Sequence, residues 1–256
     1  MALALGLAEL ADGTLEFPVL GRWQPGPLRL IVAPDAAALQ RAGRGTAPTW
    51  GMGLAFPGAR TVVVRADGPD PRGTLRHELA HLALHDRIQS RVPLWFDEGM
   101  AVVAAGELGR LLGLELNLAV VQGRIPDLRQ LDAALRREMA EAEAAYALAG
   151  SALLHLLRLQ PTGNIDSLLT LLDRRVPFEE ALLTVTGYDL SAFERSWHRD
   201  VRRRYGWLVW FLAAGVWLLM AGLVATAVAL RRRRDRPRRA ALNEGWTVPE
   251  DWEQNP

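Results

Sequence analysis

The chain has 256 residues, half of them hydrophobic, and its formal net charge at pH 7 is +1. This composition excludes an intrinsically disordered acidic or basic chain, because apolar residues are plentiful and the net charge is small. The sequence contains no cysteine, which excludes disulfide bonds, zinc-finger ligation and a cysteine nucleophile. We therefore expect one or two folded domains whose chemistry depends on other side chains.

The N-terminal part of the sequence predicts a small β-sheet. Residues 1–12 are apolar but interrupted by Glu9, and we interpret them as the remnant of an export signal that lacks the usual basic region. Runs of β-forming residues, separated by glycine and proline, follow at 14–20, 28–33 and 61–65. A short helix is expected at 35–41, where Asp35 can cap its first turn.

From residue 71 onward the pattern becomes helical, with breaks at proline and glycine. The expected helical runs are 71–87, 93–106, 126–160, 164–173, 177–186 and 190–204. This order of elements predicts an α+β domain over residues 13–204, in which a small N-terminal sheet is followed by a helical region.

A long uncharged stretch at residues 205–230 predicts one C-terminal transmembrane helix. From residue 207 to 230 a helix would rise about 36 Å, against about 30 Å of bilayer hydrocarbon. Tyr205, Trp207 and Trp210 lie at one end of the stretch, where aromatic rings favour the headgroup layer. The alternative, a buried helix of a soluble domain, is disfavoured because so long an uncharged run is hard to bury in a domain of this size.

Residues 231–256 form a basic and then acidic tail that we expect to be disordered. The seven arginines between Arg231 and Arg239 outnumber the five that precede the span. This excess favours a cytoplasmic C-terminus and places residues 13–204 outside the cytoplasm. We expect the tail arginines to contact anionic lipid headgroups rather than nucleic acid. Trp246 and Trp252 could anchor a protein partner, which the sequence does not identify.

One motif indicates metal chemistry. The run His77-Glu78-Leu79-Ala80-His81 matches HExxH inside a predicted helix. Histidines four residues apart lie on one helical face, so both imidazoles can reach one tetrahedral zinc ion. Glu78, next to the first histidine, is the candidate general base of a metal-assisted hydrolysis.

A catalytic zinc site needs a third protein ligand and one open position. His85 lies one turn beyond His81, but a third ligand on the same helix would have to bend back over the site, so we expect His85 beside the ligands or at the surface. Glu98 is the better candidate, because it lies in the next predicted helix between Trp95 and Met100, where an unpaired carboxylate is costly. The alternative for Glu98 is a solvated charge on that helix.

The sequence HELAH, followed after eleven residues by PLWFDEGMA, resembles the gluzincin zinc metallopeptidases, and within them the bacterial peptidase MA-like domains. The resemblance covers roughly residues 13 to 204 and is strongest in these two segments. It implies a bacterial, zincin-like catalytic region with one zinc ion per chain and a peptide or protein substrate. The ligands that it implies are His77, His81 and Glu98.

The chain departs from the family pattern at two points. The aspartate that many gluzincins carry one turn beyond the glutamate ligand would fall at Val102, so another group must orient the histidines. The recognition motif of the family's aminopeptidases is also absent, which favours an endopeptidase.

The metal chemistry predicts the roles of the remaining residues. Zinc would lower the pKa of a water molecule, and Glu78 would take its proton and pass it to the leaving amine. Tyr146 is the candidate donor to the developing oxyanion because residues 145–151 resemble one of the family's C-terminal helices, and a merely packed helix tyrosine is the alternative. His155 is a weaker substitute for that role.

Gluzincins bind peptide as an added strand at the sheet edge beside the cleft. Residues 61–65 or the glycine-rich residues 50–57 could supply that edge, or both could be purely structural strands. We therefore expect a membrane-anchored zinc endopeptidase. Two alternatives stay open: a zinc-containing binding or scaffold domain that does not cleave, which the intact Glu78 disfavours, and a zinc hydrolase with a non-peptide substrate.

Overall fold

The computed structural model describes residues 2–45, 50–107, 125–137, 139–205 and 207–244. The chain divides into two compact units, Met1–Gly206 and Trp207–Pro256, and each is described by itself. The described elements of the first unit are α1 (Ala2–Asp12), β1 (Leu15–Phe17), β2 (Gly21–Trp23), β3 (Arg29–Ala33), α2 (Ala36–Ala42), β4 (Gly53–Phe56), β5 (Thr61–Arg65), α3 (Pro71–His85), α4 (Leu94–Ala105), α5 (Leu128–Ala134), α6 (Met139–Leu159), α7 (Asp166–Asp173), α8 (Phe178–Thr186) and α9 (Leu190–Tyr205). The predicted α+β class, with a small N-terminal sheet followed by helices, is confirmed.

Two small sheets form the N-terminal part of the first unit. β1 and β2 pair antiparallel, and the second sheet has the strand order β3-β5-β4, with β3 parallel and β4 antiparallel to β5. Among the described strands, β5 is therefore central and β4 lies at an edge. Successive residues of β5 face opposite sides of the sheet, so Val62 and Val64 enter the main core while Val63 packs with Leu39 of α2.

One helix of this N-terminal part was predicted from the sequence, and the other was interpreted differently. The expected helix at 35–41 is α2, and the Asp35 carboxylate accepts a hydrogen bond from the Ala38 N–H at 2.7 Å. The segment interpreted as the remnant of a signal is α1, whose Leu7 and Ala11 are buried in the main core. Because these residues lie one turn apart on the same face, the folded unit includes α1 and does not begin at residue 13 as predicted.

The helical run predicted at 126–160 is interrupted in the structure. A capping box opens α5, since the Asp127 carboxylate accepts from the Gln130 N–H and the Gln130 side chain accepts from the Asp127 N–H. α5 ends at Ala134 and α6 begins at Met139. A predicted single helix is therefore two helices, with residue 138 outside the described part of the chain.

Aromatic packing fixes α4 at the centre of the helical region. The Trp95 ring stacks on Phe193 of α9 with centroids 5.7 Å apart and meets the edge of Phe178 of α8 at 5.8 Å. On another side α4 approaches α6 so closely that a Cβ added at Gly99 would lie 2.5 Å from the Ala149 carbonyl oxygen. Only glycine permits this approach of the two backbones. α4 is therefore held on several sides, which gives its polar residues defined positions.

The second unit is described as one helix, α10 (Trp207–Glu244). Its stretch Gly215–Arg238 is long and apolar enough to cross a membrane, and none of that stretch is buried in the structure. The disorder predicted for residues 231–256 is wrong for residues 231–244. These residues are helical, because α10 continues through the arginine run and past Pro237. Arginine is a good helix former, and Arg231 Nε lies 3.9 Å from Asp235 Oδ2 one turn away. Residues 245–256, with both tail tryptophans, lie outside the described part of the chain.

Candidate metal centre

α3 presents the HExxH motif on one helical face. The Asp70 carboxylate caps the helix by accepting from the Gly73 N–H at 2.9 Å, and Pro71 occupies the first turn. The rings of His77 and His81, four residues apart, come together with centroids 5.1 Å apart. The two imidazoles can therefore reach a single ion.

α4 brings Glu98 to the same point. Its Oε2 atom lies 3.4 Å from His77 Nε2 and 3.5 Å from His81 Nε2, and the candidate ligand atoms of the three residues all lie within 4.8 Å of one another. Among the described residues this buried oxygen has no hydrogen-bond partner, which is costly for a carboxylate. A divalent cation among the three side chains would compensate that charge. Two imidazole nitrogens and one carboxylate oxygen are the ligands of a catalytic zinc site, so these residues fit the metal that the sequence implies.

Two further carboxylates contact the other ring nitrogens of the histidines. His81 Nδ1 lies 2.7 Å from Asp97 Oδ1, and His77 Nδ1 lies 3.1 Å from Glu107 Oε2. The second oxygen of Asp97 lies 2.8 Å from His85 Nε2, which places His85 beside the candidate ligands, as expected. With each Nδ1 engaged, each Nε2 is directed toward Glu98.

The sequence predicts that other groups orient the histidines, but it does not identify Asp97 and Glu107 as those groups. Val102, where the family aspartate would fall, is buried and apolar. Asp97 directly precedes the glutamate of the second motif, a signal that could have drawn attention to it. Glu107 follows the end of α4, and no spacing rule connects it with the helical face of His77.

Neighbouring charges shift the pKa values of the three candidate ligands. Burial lowers the pKa of His77, but its hydrogen bond with Glu107 and the proximity of Glu98 outweigh burial and raise that pKa to about 10. For His81, burial is likewise outweighed by the charges of Asp97 and Glu98, so its pKa is raised well above the ordinary value. Burial would raise the pKa of Glu98, but the positive charge of His81 and the contacts with both histidines lower it to about 2. At neutral pH the site therefore combines protonated imidazoles with an ionised carboxylate.

Glu78 lies buried between α3 and the edge strand. A Cβ added at Gly53 of β4 would lie 2.5 Å from Glu78 Oε1 and 2.7 Å from Thr74 Cγ2, so glycine permits the strand to pass directly over this carboxylate. Burial raises the pKa of Glu78 to about 7, against the lowering effect of the two histidines. A carboxylate with this pKa can both accept and return a proton near neutral pH.

An open cleft of about 640 Å³ lies over these residues. Its walls include β4, the two motif histidines, Tyr146 of α6 and Trp50. The Tyr146 ring meets the edge of the His77 ring with centroids 6.1 Å apart, and the Trp50 ring with centroids 6.5 Å apart. Burial, reinforced by nearby carboxylates, raises the pKa of Tyr146 well above its ordinary value, so its hydroxyl stays protonated and can donate a hydrogen bond.

The substitute donor considered in the sequence, His155, lies away from these contacts. Its Nε2 is 3.1 Å from Ser196 Oγ, its Nδ1 is 3.6 Å from Asp200 Oδ2, and it does not line the cleft. Ser196 and Asp200 both belong to α9. His155 therefore joins α6 to α9, and Tyr146 is the candidate that the structure brings to the site.

Comparison with protein families agrees with this geometry. The family model described as the peptidase MA superfamily matches residues 20–203. The chain belongs to the peptidase MA superfamily. The match includes both helices that carry the candidate ligands, and membership supports a metal-dependent, metallopeptidase-like domain that acts on peptide or protein. No match was found among curated proteins or among solved structures.

The coupled charges of the site predict that zinc uptake releases protons. We expect both motif imidazoles to hold protons at pH 7.5 before zinc is added, because the pKa of His77 is raised to about 10 and that of His81 is raised in the same direction. Zinc must displace those protons, so binding should release about two per ion, and the apparent affinity should increase as the pH is raised. Calorimetric titration in two buffers of different ionisation enthalpy measures this number. The His85→Gln variant should leave it unchanged, whereas binding without proton release in the unmodified chain would contradict this charge state.

Proposed function

We propose that the protein is a membrane-anchored zinc metallopeptidase that cleaves bonds within peptide chains. The observation that carries this proposal is the convergence of His77, His81 and Glu98, with Glu78 buried beside them under an edge strand. Two imidazoles and one carboxylate leave a position of a tetrahedral ion open for water or substrate. Membership of the peptidase MA superfamily supports the same reaction class.

Glu78 acts as the general base in this proposal. Zinc, when bound, supplies Lewis acidity that lowers the pKa of a water molecule and polarises the substrate carbonyl. Glu78 takes a proton from the water at its carboxylate and then donates it to the leaving amine. Its raised pKa of about 7 suits both transfers, because both protonation states are accessible near neutral pH.

Tyr146 supplies the remaining polar group. Its hydroxyl, held in the protonated form by burial, donates a hydrogen bond to the oxygen that becomes negative during attack on the carbonyl. The contacts of its ring with His77 and Trp50 hold the phenol in the wall of the cleft. Trp50 is itself fixed, since its indole N–H donates to the Arg137 carbonyl at 2.9 Å.

The substrate binds as an added strand on β4. Of the two segments that the sequence offered, residues 61–65 form the central strand β5, so their backbone groups already pair with β3 and β4. β4 is the edge strand, and its residues Gly53, Leu54 and Ala55 line the cleft. An extended peptide paired there runs past Glu78, which favours cleavage within a chain over removal of terminal residues.

The placement of Glu78 favours a peptidase over the two alternatives. A domain that only binds zinc gains nothing from a carboxylate buried beside the ligands, because burial of that charge is costly. A hydrolase of small non-peptide substrates does not need an edge strand along its cleft. The combination of base, ligand set and exposed strand edge supports peptide hydrolysis.

The second unit anchors the enzyme to the membrane. α10 has 38 residues, or about 57 Å of helix, which exceeds the roughly 30 Å of hydrocarbon and lets its arginine-rich end extend into the headgroup layer. We assign the span to residues 205–230 and place the arginines from Arg231 to Arg239 against anionic headgroups on the cytoplasmic side. The catalytic domain then lies outside the cytoplasm.

Substitution of Glu78 by glutamine separates metal binding from catalysis. The Glu78→Gln variant should keep about one zinc per chain but lose roughly 10²- to 10⁴-fold in kcat on a peptide blocked at both ends, because glutamine cannot take the proton. Zinc analysis and cleavage assays of the full-length protein in detergent give both quantities. The Glu98→Ala variant, in contrast, should lose zinc as well as activity. Unchanged cleavage by Glu78→Gln would exclude this mechanism.

Removal of the Tyr146 hydroxyl should weaken catalysis without weakening metal binding. Tyr146→Phe keeps the ring contacts and loses one donor, so kcat should fall by roughly 10²- to 10³-fold at unchanged zinc content. Tyr188→Phe, which removes a phenol elsewhere in the first unit, is the control and should leave kcat unchanged. If Tyr146→Phe cleaves as fast as the unmodified enzyme, Tyr146 is only a packed helix residue.

The orientation is measured by protease access in sealed, right-side-out vesicles. Added protease should digest the first unit and spare a tag fused after Pro256, because the bilayer shields the cytoplasmic side. Permeabilised vesicles provide the control, in which the tag is digested as well. A digested tag with a protected first unit would reverse the orientation, and extraction of the chain by alkaline carbonate would contradict the anchor.

A further inference from the structure

Glu107 lies just beyond the end of α4 and contacts the first motif histidine. Its Oε2 atom is 3.1 Å from His77 Nδ1, and its side chain is 22% exposed. The His77 side chain is only 13% exposed, so this contact is partly shielded from solvent. A carboxylate paired with an imidazole in such surroundings holds the ring more firmly than an exposed pair would.

A glycine turn brings Glu107 back to the site. α4 ends at Ala105, and Gly106 has φ 80° and ψ 19°, in the left-handed region. The Gly106 N–H donates to the Val103 carbonyl at 3.2 Å, and the Glu107 N–H donates to the Val102 carbonyl at 3.1 Å. These two bonds form a Schellman motif, which closes the helix and reverses the direction of the chain. The residue after the glycine therefore lies beside the last turn of α4 and not one turn further along its axis.

This position determines which nitrogen of His77 faces the candidate ion. When Glu107 accepts a hydrogen bond from Nδ1–H, the lone pair of the neutral imidazole is on Nε2, the atom 3.4 Å from Glu98. The carboxylate also opposes rotation of the ring about its Cβ–Cγ bond. Asp97 makes the equivalent contact with His81 from inside α4. Each imidazole thus has its own carboxylate, and the two come from different parts of the chain.

We infer that Glu107 is a positioning residue that holds His77 in the tautomer and orientation required to bind the metal. It fills this role from the turn after α4, while position 102, one helical turn beyond Glu98, carries a buried valine. The inference rests on the proposed zinc site. It adds that Gly106, which makes no contact with the ion, contributes to metal affinity through the position of Glu107.

Zinc affinity of the full-length protein, measured by competition with a chromophoric chelator, tests this role. Glu107→Ala should weaken zinc binding by roughly 10- to 100-fold, because the imidazole loses its orienting partner. Glu107→Gln keeps an oxygen that can accept from Nδ1–H, so it should restore part of that loss. The visible spectrum of the Co²⁺-loaded protein should also change in Glu107→Ala, since it reports the geometry of the ligands.

Glu143→Ala provides the matched control. Glu143 lines the same cleft, so its removal lowers the negative charge of the cleft by the same amount as removal of Glu107. It should change zinc affinity by about threefold at most, because Glu143 is exposed and its charge is screened by solvent. Equal affinities of Glu107→Ala and Glu143→Ala would overturn the inference. If the unmodified chain binds no zinc, the proposed function itself is wrong. That result differs from equal affinities of the two variants, which would overturn only the role of Glu107.

Substitutions at Gly106 test the turn without altering the carboxylate. Gly106→Asn should retain most of the affinity, since asparagine tolerates the left-handed region. Gly106→Val should weaken zinc binding in the same direction as Glu107→Ala, because a β-branched residue disfavours that conformation. In the double variant Gly106→Val/Glu107→Ala the two losses should not add, as expected when both act through one contact. Full additivity would show that Gly106 acts independently of Glu107.

Discussion

The site depends on the contact of the Glu98 carboxylate with two imidazoles, in which one buried oxygen has no hydrogen-bond donor among the described residues. An ionised carboxylate in such surroundings needs positive charge. Protonated imidazoles can supply that charge, since the carboxylates around them raise the pKa of His77, chiefly through Glu107 and Glu98, and that of His81, through Asp97 and Glu98. A divalent ion can replace those protons at the same place. The same electrostatic demand therefore draws the three side chains together and suits them to hold a metal ion.

α4 supplies Glu98 and the neighbouring carboxylate Asp97, and the packing of this helix explains why the two are held in place. Asp97 and Glu98 are adjacent, yet Asp97 contacts the Nδ1 atom of His81, whereas Glu98 belongs to the candidate ligand set. Gly99 lets α4 approach α6, the helix that brings Tyr146 to the cleft. Gly106 then turns the chain so that Glu107 reaches His77. One helix and its terminal turn thus join the ligand set to the cleft wall.

The sequence predicted the parts of this arrangement that depend on helical periodicity. The spacing of His77 and His81 follows from one turn of helix, and the apolar neighbours of Glu98 indicated that it needed a partner. Contacts made by tertiary packing and by turns were not predictable in the same way. Glu107 depends on a left-handed glycine, and the choice of β4 as the edge depends on strand order, which local pattern does not encode. The helix that continues to Glu244 shows that high charge alone did not determine disorder.

The most direct measurement of the central claim is the anomalous difference density of the zinc-loaded protein at the zinc absorption edge. A single strong peak is expected between α3 and α4, about 2.0 to 2.2 Å from one ring nitrogen of His77, one of His81 and a carboxylate oxygen of Glu98. That result would establish the shared ion directly. A peak that lacks any one of these three ligands, or that lies on His85 and Asp97 instead, would contradict the account.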